Sequence, residues 1–247
     1  MRKLKIILVP LAGLLITINT GLVQAQDLAS RVGAALASPE RPEGEQLRDQ
    51  ARKPVEVLQF LGIDSGMTVV DLLAAGGWYT EVLSAAVGPK GKVYSQNPAR
   101  MRDRVGDAAQ ARADRLGNVE LLFTEDMNDF GIEDTVDAAI TALNVHDAYN
   151  FRGEQGGKDF FKGIYKALKP GGVLGVIDHA GIAGQDNSSL HRIEKSIVRD
   201  LITAAGFTIE AESDILHNPN DDHTLSIRDA SLERNTDRML IKARKPE

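Results

Sequence analysis

The chain has 247 residues, of which 43% are hydrophobic and 26% charged, and its formal net charge is −6 at pH 7. This size and composition suit one globular domain with a full core plus a short extension. An acidic chain without a basic stripe argues against nucleic acid and anionic membrane surfaces as partners. The absence of cysteine excludes disulfides and a lipoprotein attachment site.

The first 25 residues have the pattern of a secretion signal. A basic start over 2–5 precedes a mostly apolar run over 6–18, and small residues at Val23-Gln24-Ala25 match what an export peptidase reads. We predict cleavage after Ala25 and an exported, periplasmic protein without a stable membrane span. Losing the leader would shift the formal charge from −6 to −9. An uncleaved membrane anchor is the alternative, although the apolar run is short for a span.

Residues 26–54 are predicted as a peripheral helical arm ahead of a main domain over 55–247. The helical pattern breaks near Ser38-Pro39 and resumes over 45–53 with a charged face. Arg48 and Arg52 on that face are either solvated or part of an arm that folds over a ligand crevice.

The stretch over 66–87 has the pattern of a buried strand, a turn of small residues and a helix. Thr68 to Leu73 is apolar and rich in β-branched residues, as in a strand covered on both faces. The turn over 74–77 has almost no side chains, and the helical pattern then runs from Trp78 to Gly88-Pro89. Such a helix start leaves backbone N–H groups that favour a carboxylate or another negatively polarised ligand.

Strand and helix patterns alternate through the rest of the chain. The predicted strands lie over 92–95, 119–123, 136–143 and 173–177, and the predicted helices over 100–116 and 158–168. A helix over 190–205 then leads to strands over 207–213 and 238–244, which should be antiparallel because no crossover helix joins them. The pattern predicts an α/β fold with a doubly wound, mostly parallel sheet and an antiparallel last strand.

Polar residues follow the predicted strands at their carboxyl ends. They are Gln96-Asn97, Glu125-Asp126, Asn144 with His146-Asp147, and Asp178-His179. In open parallel sheets these ends share one edge, and ligands bind there near the point where strand order reverses. The clustering of these side chains is the main indication of function.

Two motifs resemble those of the class I S-adenosylmethionine-dependent methyltransferases. Residues 69–77 (VVDLLAAGG) stand where that family has an acidic residue and a glycine loop, and 167–174 (ALKPGGVL) resemble its turn into the fifth strand. The chain is more closely similar to a group of exported predicted methyltransferases of bacteria, through GGWYTE (76–81), GKVYSQNP (91–98), ALNVHD (142–147) and LHRI (190–193). The resemblance covers roughly residues 55–247. It implies a seven-stranded Rossmann-like methyltransferase sheet and S-adenosylmethionine as cofactor.

The resemblance also implies a set of cofactor-binding residues: Asp71, Ala74, Ala75, Gly76, Gly77, Tyr79, Asn97, Asp126, Met127 and Asn144. Asp71 would hold the methionine amino end, and the turn over 74–77 would pass under the methionine half, with Asn144 lining the same end. Asp126 would bond the adenine amine, with Met127 beside the ring. The hydroxyl of Tyr79 is available to a carboxylate, whereas Trp78 either stacks on a substrate ring or is buried against the neighbouring helix.

Three positions depart from the family pattern. Leu73 and Ala75 stand at two glycine positions, and Leu73 adds bulk where the family has none. Asn97 replaces the acid that binds the ribose hydroxyls. An amide can still bond both hydroxyls, but it does so as a neutral and weaker partner.

Methyl transfer from a sulfonium is an in-line displacement, so positioning supplies most of the acceleration. A base is needed only when the acceptor keeps a proton. His146 is predicted as this base, oriented by Asp147 or a neighbour, and His179 is a second candidate. For both histidines the alternative is a ring that only hydrogen-bonds a loop.

Two other functions stay open at this point. A metal-assisted O-methyltransferase would place a divalent ion among His146, Asp147, Asp178, His179 and His191. A non-catalytic protein that binds a nucleoside or small molecule would explain the altered glycine loop. No motif identifies the methyl acceptor, which is a small molecule or another unidentified partner. No motif indicates an oligomeric state.

Overall fold

The computed structural model of the chain describes residues 20–247, and side chains from residue 25 onward. Most of the predicted leader therefore lies outside the described residues. The first described helix, α1 (Thr20–Leu36), runs across the predicted cleavage position at Ala25. No helix within 20–247 is both long enough and apolar enough to cross a membrane.

Seven α-helices and eight strands follow α1 in the described part of the chain. The helices are α2 (Asp49–Arg52), α3 (Pro54–Leu61), α4 (Trp78–Val87), α5 (Arg102–Leu116), α6 (Val145–Ala167), α7 (Asn187–Leu190) and α8 (Lys195–Ala204). The strands are β1 (Thr68–Leu72), β2 (Lys92–Pro98), β3 (Val119–Thr124), β4 (Val136–Ala142), β5 (Leu168–Gly181), β6 (Ile193–Glu194), β7 (Thr208–Ser213) and β8 (Arg238–Arg244).

Seven of the strands form one twisted path in the order β3-β2-β1-β4-β5-β8-β7, and β6 pairs with the end of β5. The first five strands of that path are parallel, whereas β8 runs antiparallel to both β5 and β7. The predicted doubly wound sheet with an antiparallel end is confirmed. Chain order reverses between β1 and β4, so a crevice opens beyond the carboxyl ends of these two strands.

Each face of the sheet is covered by its own apolar core. Phe160 and Phe161 of α6 and Ile202 of α8 are buried on one side. On the other side Leu83 of α4 packs with Val32 of α1, and both are fully buried. The arm over 26–54, predicted as peripheral, thus contributes to the core.

Helix α6 differs most from its predicted form. It begins at Val145, directly after β4, whereas the sequence pattern indicated a start near 158. Its first part carries Gly153, Gly156 and Gly157, which favour a loop in a sequence-based reading, and the helix is kinked at Gly153 with φ of 67°. The early start places 145–152 against the crevice rather than in a loop above it. The predicted turn over 169–172 is also part of a strand, the long β5.

Candidate active site

Two adjoining cavities occupy the crevice. The first, here called the Met127 cavity, has a volume of about 260 Å³ and is lined by Leu73, Ala75, Arg100, Met101, Arg104, Met127, Asn144, Asp147, Ala148, Phe151, Arg152 and Gly156. The second, the Arg52 cavity, has about 230 Å³ and is lined by Glu45, Arg48, Arg52, Asp71, Leu73, Ala74, Ala75, Gly76, Gly77, Trp78, Tyr79, Ala142, Leu143 and Asn144. Leu73, Ala75 and Asn144 line both cavities, so the two cavities adjoin at these residues.

The loop between β1 and α4 keeps a glycine-type backbone at two positions that are not glycine. Leu73 and Ala75 have φ of 52° and 50°, in the left-handed region that glycine adopts without steric cost. Two side chains at the end of β2 hold this conformation. Gln96 Oε1 accepts from the Leu73 N–H at 3.1 Å, and Asn97 Oδ1 accepts from the Ala75 N–H at 2.8 Å.

Asn97, the residue predicted to bind ribose hydroxyls, is fully buried beneath this loop. Its amide oxygen is used by the Ala75 N–H, and its amide nitrogen lies 3.5 Å from the Ala75 carbonyl oxygen. Asn97 is therefore placed as a support of the loop and lines neither cavity. A ligand would contact the side chain of Asn97 only after the loop between β1 and α4 had moved.

Asp71 reaches the Arg52 cavity from the end of β1. Its carboxylate is buried and accepts a hydrogen bond from Thr80 Oγ1 at 2.6 Å. Burial raises the pKa of Asp71 to about 6, against the lowering effect of the Thr80 hydroxyl. No role was predicted for Thr80, although its position in the first turn of the helix after the glycine-type loop indicates a contact with that loop.

The arm folds over the crevice and brings Arg52 into it. The guanidinium of Arg52 lies 4.5 Å from the centroid of the Trp78 ring and 5.5 Å from that of Tyr79. It makes no hydrogen bond or ion pair with any residue over 25–247, and burial lowers its pKa to about 10. Of the two readings of the charged arm, the structure thus favours the one in which Arg52 covers the ligand crevice.

Trp78 is buried rather than exposed for stacking on a substrate. Its Nε1–H donates to Asp49 Oδ1 at 3.0 Å, and Asp49 also accepts from Arg41 at 2.6 and 2.8 Å. Trp78 therefore ties the arm to the first turn of α4. Tyr79, whose hydroxyl was predicted to meet a carboxylate, is also buried and lines the Arg52 cavity.

A buried network of ion pairs connects the arm to α4, α5 and the loop between β1 and α4. Arg112 of α5 bonds Glu45 of the arm at 2.6 Å, pairs with Glu81 of α4, and donates to the Gly76 carbonyl oxygen at 3.0 Å. These groups come from three elements far apart in sequence, so no local pattern pointed to them. The network fixes the arm, the loop and α4 as one unit around the Arg52 cavity.

His146 lies at the carboxyl edge of the sheet between two carboxylates. Its Nδ1 is 2.7 Å from Asp178 Oδ1, and its Nε2 is 3.2 Å from Asp147 Oδ1. His191 approaches the same Asp147 oxygen with Nδ1 at 3.4 Å. The predicted partner Asp147 is thus present, but Asp178 at the end of β5 is the closer one.

The pKa values of the two histidines at this edge, His146 and His179, are shifted in opposite directions. Burial disfavours a charged ring at His146, but the carboxylates of Asp178 and Asp147 outweigh it and raise its pKa to about 10. Burial together with the positive charge of His146 lowers the pKa of His179 well below its usual range. His179 Nδ1 lies 2.6 Å from Thr236 Oγ1, and its ring lines a separate cavity of about 190 Å³ beside Arg52 and Arg238.

The predicted site residues separate into groups. Asp71, Ala74 to Gly77 and Tyr79 surround the Arg52 cavity, and Asn144 lines both cavities. Met127 and Asp147 line the Met127 cavity. Asp126 lies outside both: its side chain is exposed, and its Oδ1 accepts from the Asn128 N–H at 3.0 Å.

Comparisons with known proteins find similar solved structures but no matching sequence. No protein-family model matches the chain, and no curated protein matches it. A SAM-dependent methyltransferase from Aquifex aeolicus superimposes with a TM-score of 0.60 at 22% identity, over 87% of this chain and 97% of that one. The [4+2]-cyclase SpnF gives 0.61 at 17% identity, over 92% and 96% of the two chains. An arsenic(III) S-adenosylmethionine methyltransferase from Chlamydomonas reinhardtii gives 0.56 at 18% identity, over 88% and 73%.

At these identities the likeness shows a shared fold: the sheet is the Rossmann-like sheet of the S-adenosylmethionine-dependent methyltransferases. The cyclase among the similar structures indicates that the fold alone does not define a reaction. Function must therefore be argued from the two cavities and the side chains around them.

Proposed function

We propose that the chain is an S-adenosylmethionine-dependent methyltransferase that acts on a small-molecule acceptor. One observation carries the proposal. The Arg52 cavity contains a guanidinium without a partner over 25–247 and a buried carboxylate, Asp71, beside a loop of small residues. A cation and an anion at one cavity complement the carboxylate and ammonium groups of an amino acid, and the cofactor ends in a methionine that carries both.

Arg52 and Asp71 would hold the two charged groups of the methionine half. Tyr79 and Asn144 line the same space and can add hydrogen bonds. The N–H groups of Leu73, Ala74, Ala75 and Gly77 are bonded to protein acceptors. In this chain the arm's guanidinium therefore takes over part of the anion binding that the loop backbone was predicted to supply.

The Met127 cavity would take the adenosine half. Met101, Met127 and Leu73 give it apolar walls, and Asp147 is its only acidic lining residue over the described range. Asp126 could bond the adenine amine, as the family resemblance implies, through the acceptor sites that the Asn128 N–H leaves free. Either cavity alone is smaller than the roughly 300 Å³ at which small-molecule sites begin, whereas the two together fall within the usual range. Leu73 would have to turn aside for a ligand that spans both.

When bound, the cofactor supplies a methyl group activated by a positively charged sulfur. The residues of this chain would then position the acceptor and exclude water. A proton from a hydroxyl or amine acceptor would pass to the Asp147 carboxylate, which lines the Met127 cavity. His146, predicted as the base, has a pKa of about 10 and is already protonated at neutral pH, so it would orient that carboxylate. His179 would act only on an acceptor that reaches the neighbouring cavity, which it lines.

Calorimetry with S-adenosylmethionine and with its demethylated product tests the proposal. We expect both to bind folded protein with one site per chain. His146→Ala should keep this binding and lose methyl transfer to acceptors supplied as a mixed small-molecule extract. Absence of binding to both nucleosides, in protein with a cooperative unfolding transition, would contradict the proposal.

A binding protein without transfer activity is the second candidate. Leu73 favours it, because its side chain lies where a spanning cofactor would pass. This candidate predicts that a nucleoside or an amino acid binds in one cavity and that the intact cofactor does not. Competition between methionine and S-adenosylmethionine in the same calorimeter separates the two candidates.

We also propose that the protein is exported, on the pattern of its first 25 residues. Fractionation of a bacterial host that expresses the full chain should then place it outside the cytoplasm, with Gln26 as the first residue by N-terminal sequencing. Recovery of the uncleaved chain from the cytoplasm would contradict this.

A further inference from the structure

Three side chains, of which Asp147 lines the Met127 cavity, bring one donor atom each close together. His146, Asp147 and His191 can supply two imidazole nitrogens and a carboxylate oxygen, and these atoms all lie within 4.8 Å of one another. His146 Nε2 is 3.2 Å from Asp147 Oδ1, and His191 Nδ1 is 3.4 Å from the same oxygen.

The two distances to Asp147 Oδ1 are those of neighbouring donor atoms on one metal ion. Bonds of about 2.0–2.1 Å in a tetrahedral shell place neighbouring donors about 3.3–3.4 Å apart. Two histidines with one carboxylate form a donor set that binds zinc and related divalent ions and leaves further positions open.

A second carboxylate orients the buried histidine toward that point. Asp178 Oδ1 lies 2.7 Å from His146 Nδ1, so Nδ1–H donates there and a metal ion would take the place of the proton on Nε2. Asp178 is held in turn by the backbone N–H groups of His146 at 2.9 Å and of His179 at 2.7 Å. A carboxylate behind a ligating imidazole is the usual outer support of a metal-binding histidine.

We propose that His146 Nε2, Asp147 and His191 Nδ1 bind one divalent ion of the zinc type. Asp178 is its outer support rather than a ligand, and His179 is not among the side chains whose donor atoms converge at this point. Asp147 lines the Met127 cavity, so an open position of the ion faces the crevice. Metal binding does not depend on the proposed methyl transfer. A role for the ion in holding the methyl acceptor would depend on that proposed function.

A second histidine–carboxylate cluster supplies a matched control. His217 and His223 both bond Asp237, but they approach different oxygens, at 2.9 and 2.8 Å. Over the described residues, its donor atoms do not converge on one point as those of the first cluster do. His217 is also half-exposed, so its replacement should leave the fold intact.

The test is a Co²⁺ titration of the untagged, metal-stripped chain, followed by its visible absorption, with Zn²⁺ as competitor. We expect one equivalent to bind with the spectrum of a low-coordinate N/O site. His191→Gly removes a ligand and should weaken binding by about 100-fold or more, beyond the loss typical of an outer partner, and glycine accepts the left-handed φ of 55° found there. Asp178→Asn should weaken it by about 10- to 100-fold, and His217→Ala should leave it unchanged.

Failure to bind Co²⁺ or Zn²⁺ at neutral pH, in protein that unfolds cooperatively, would overturn the proposal. So would a loss of binding on His217→Ala with His191→Gly unaffected, because the ion would then sit at the other cluster. The titration contains no S-adenosylmethionine, and the nucleoside calorimetry uses stripped protein. Metal binding without cofactor binding would therefore leave this site standing and remove the proposed function, and the reverse result would do the opposite.

Discussion

The guanidinium of Arg52 lies 4.5 Å above the ring of Trp78, and the indole N–H of Trp78 is bonded to Asp49, three residues before Arg52. The arm and the first turn of α4 thus hold each other. Stacking on an aromatic ring positions a cation while leaving its five N–H donors available to a ligand. The contact explains how a charged group stays at the crevice without an ion-pair partner over 25–247.

Replacing Arg52 with methionine should weaken binding of an anionic ligand by about tenfold or more, because charge-assisted bonds contribute about 1.5–3 kcal/mol. Methionine keeps an unbranched apolar stem over Trp78, so the midpoint of urea unfolding should change little. Isothermal calorimetry with S-adenosylmethionine measures the effect. Arg199→Met, at an exposed ion pair on α8, is the control and should bind like the original chain. Equal affinity for both variants would remove Arg52 from the binding site.

Leu73→Gly should increase affinity for a ligand that spans both cavities. The change removes the side chain between them and places glycine at a φ of 52°, where it fits without strain. Ala75→Gly is the matched control, because it relieves a φ of 50° but opens almost no space. Both variants should have similar unfolding midpoints, and only Leu73→Gly should bind S-adenosylmethionine several-fold more tightly. A gain in both, or in neither, would show that Leu73 does not divide the site.

The fold was accessible from the sequence because its signals are local. β-branched runs ended by glycine or proline placed the strands, and their alternation with helices implied parallel pairing. The meeting of His146 with Asp178 also followed from local signals. His146 follows β4, and Asp178 lies near the carboxyl end of its parallel neighbour β5, so the two residues share one edge of the sheet.

The contacts that shape the crevice could not be predicted from the sequence, because they join segments far apart in the chain. The Arg52–Trp78 stack joins an arm to a helix start, and the bonds of Arg112 to Glu45 and Glu81 cross 67 and 31 positions of sequence. Such contacts depend on how elements dock, not on a periodic pattern. The turning of Asn97 toward the loop was equally hidden, since both Gln96 and Asn97 are fully buried and no alternation separates them.

Asn97→Ala should destabilise the fold by about 1–3 kcal/mol, because it leaves the Ala75 N–H without its acceptor beneath the loop. The cost would appear as a lower midpoint in urea at constant slope. Asn220→Ala, in an exposed loop, should be neutral. If Asn97→Ala lost cofactor affinity but kept full stability, Asn97 would contact the ligand directly, as the family resemblance implies.

Asp71 should make stability depend on pH in a direction opposite to that of most paired carboxylates. Burial raises its pKa from 3.8 in a free side chain to about 6 in the folded protein. The folded state therefore holds this proton more tightly than the unfolded chain, and the contribution of Asp71 is most favourable below about pH 4. It is lost progressively as the pH rises through about 6 and stays constant above that.

Asp71→Asn isolates this effect, because asparagine stays neutral and still offers an oxygen to Thr80 Oγ1. The variant should gain about 2–3 kcal/mol relative to the original chain between pH 4 and pH 7, with no further gain above. Urea unfolding at a series of pH values measures the difference, which cancels the titration of the other carboxylates. Asp200→Asn, which removes an exposed charge, should show no such trend. A difference that stayed flat from pH 4 to pH 7 would mean that Asp71 is ionised throughout, and that Arg52 and Thr80 compensate its burial in full.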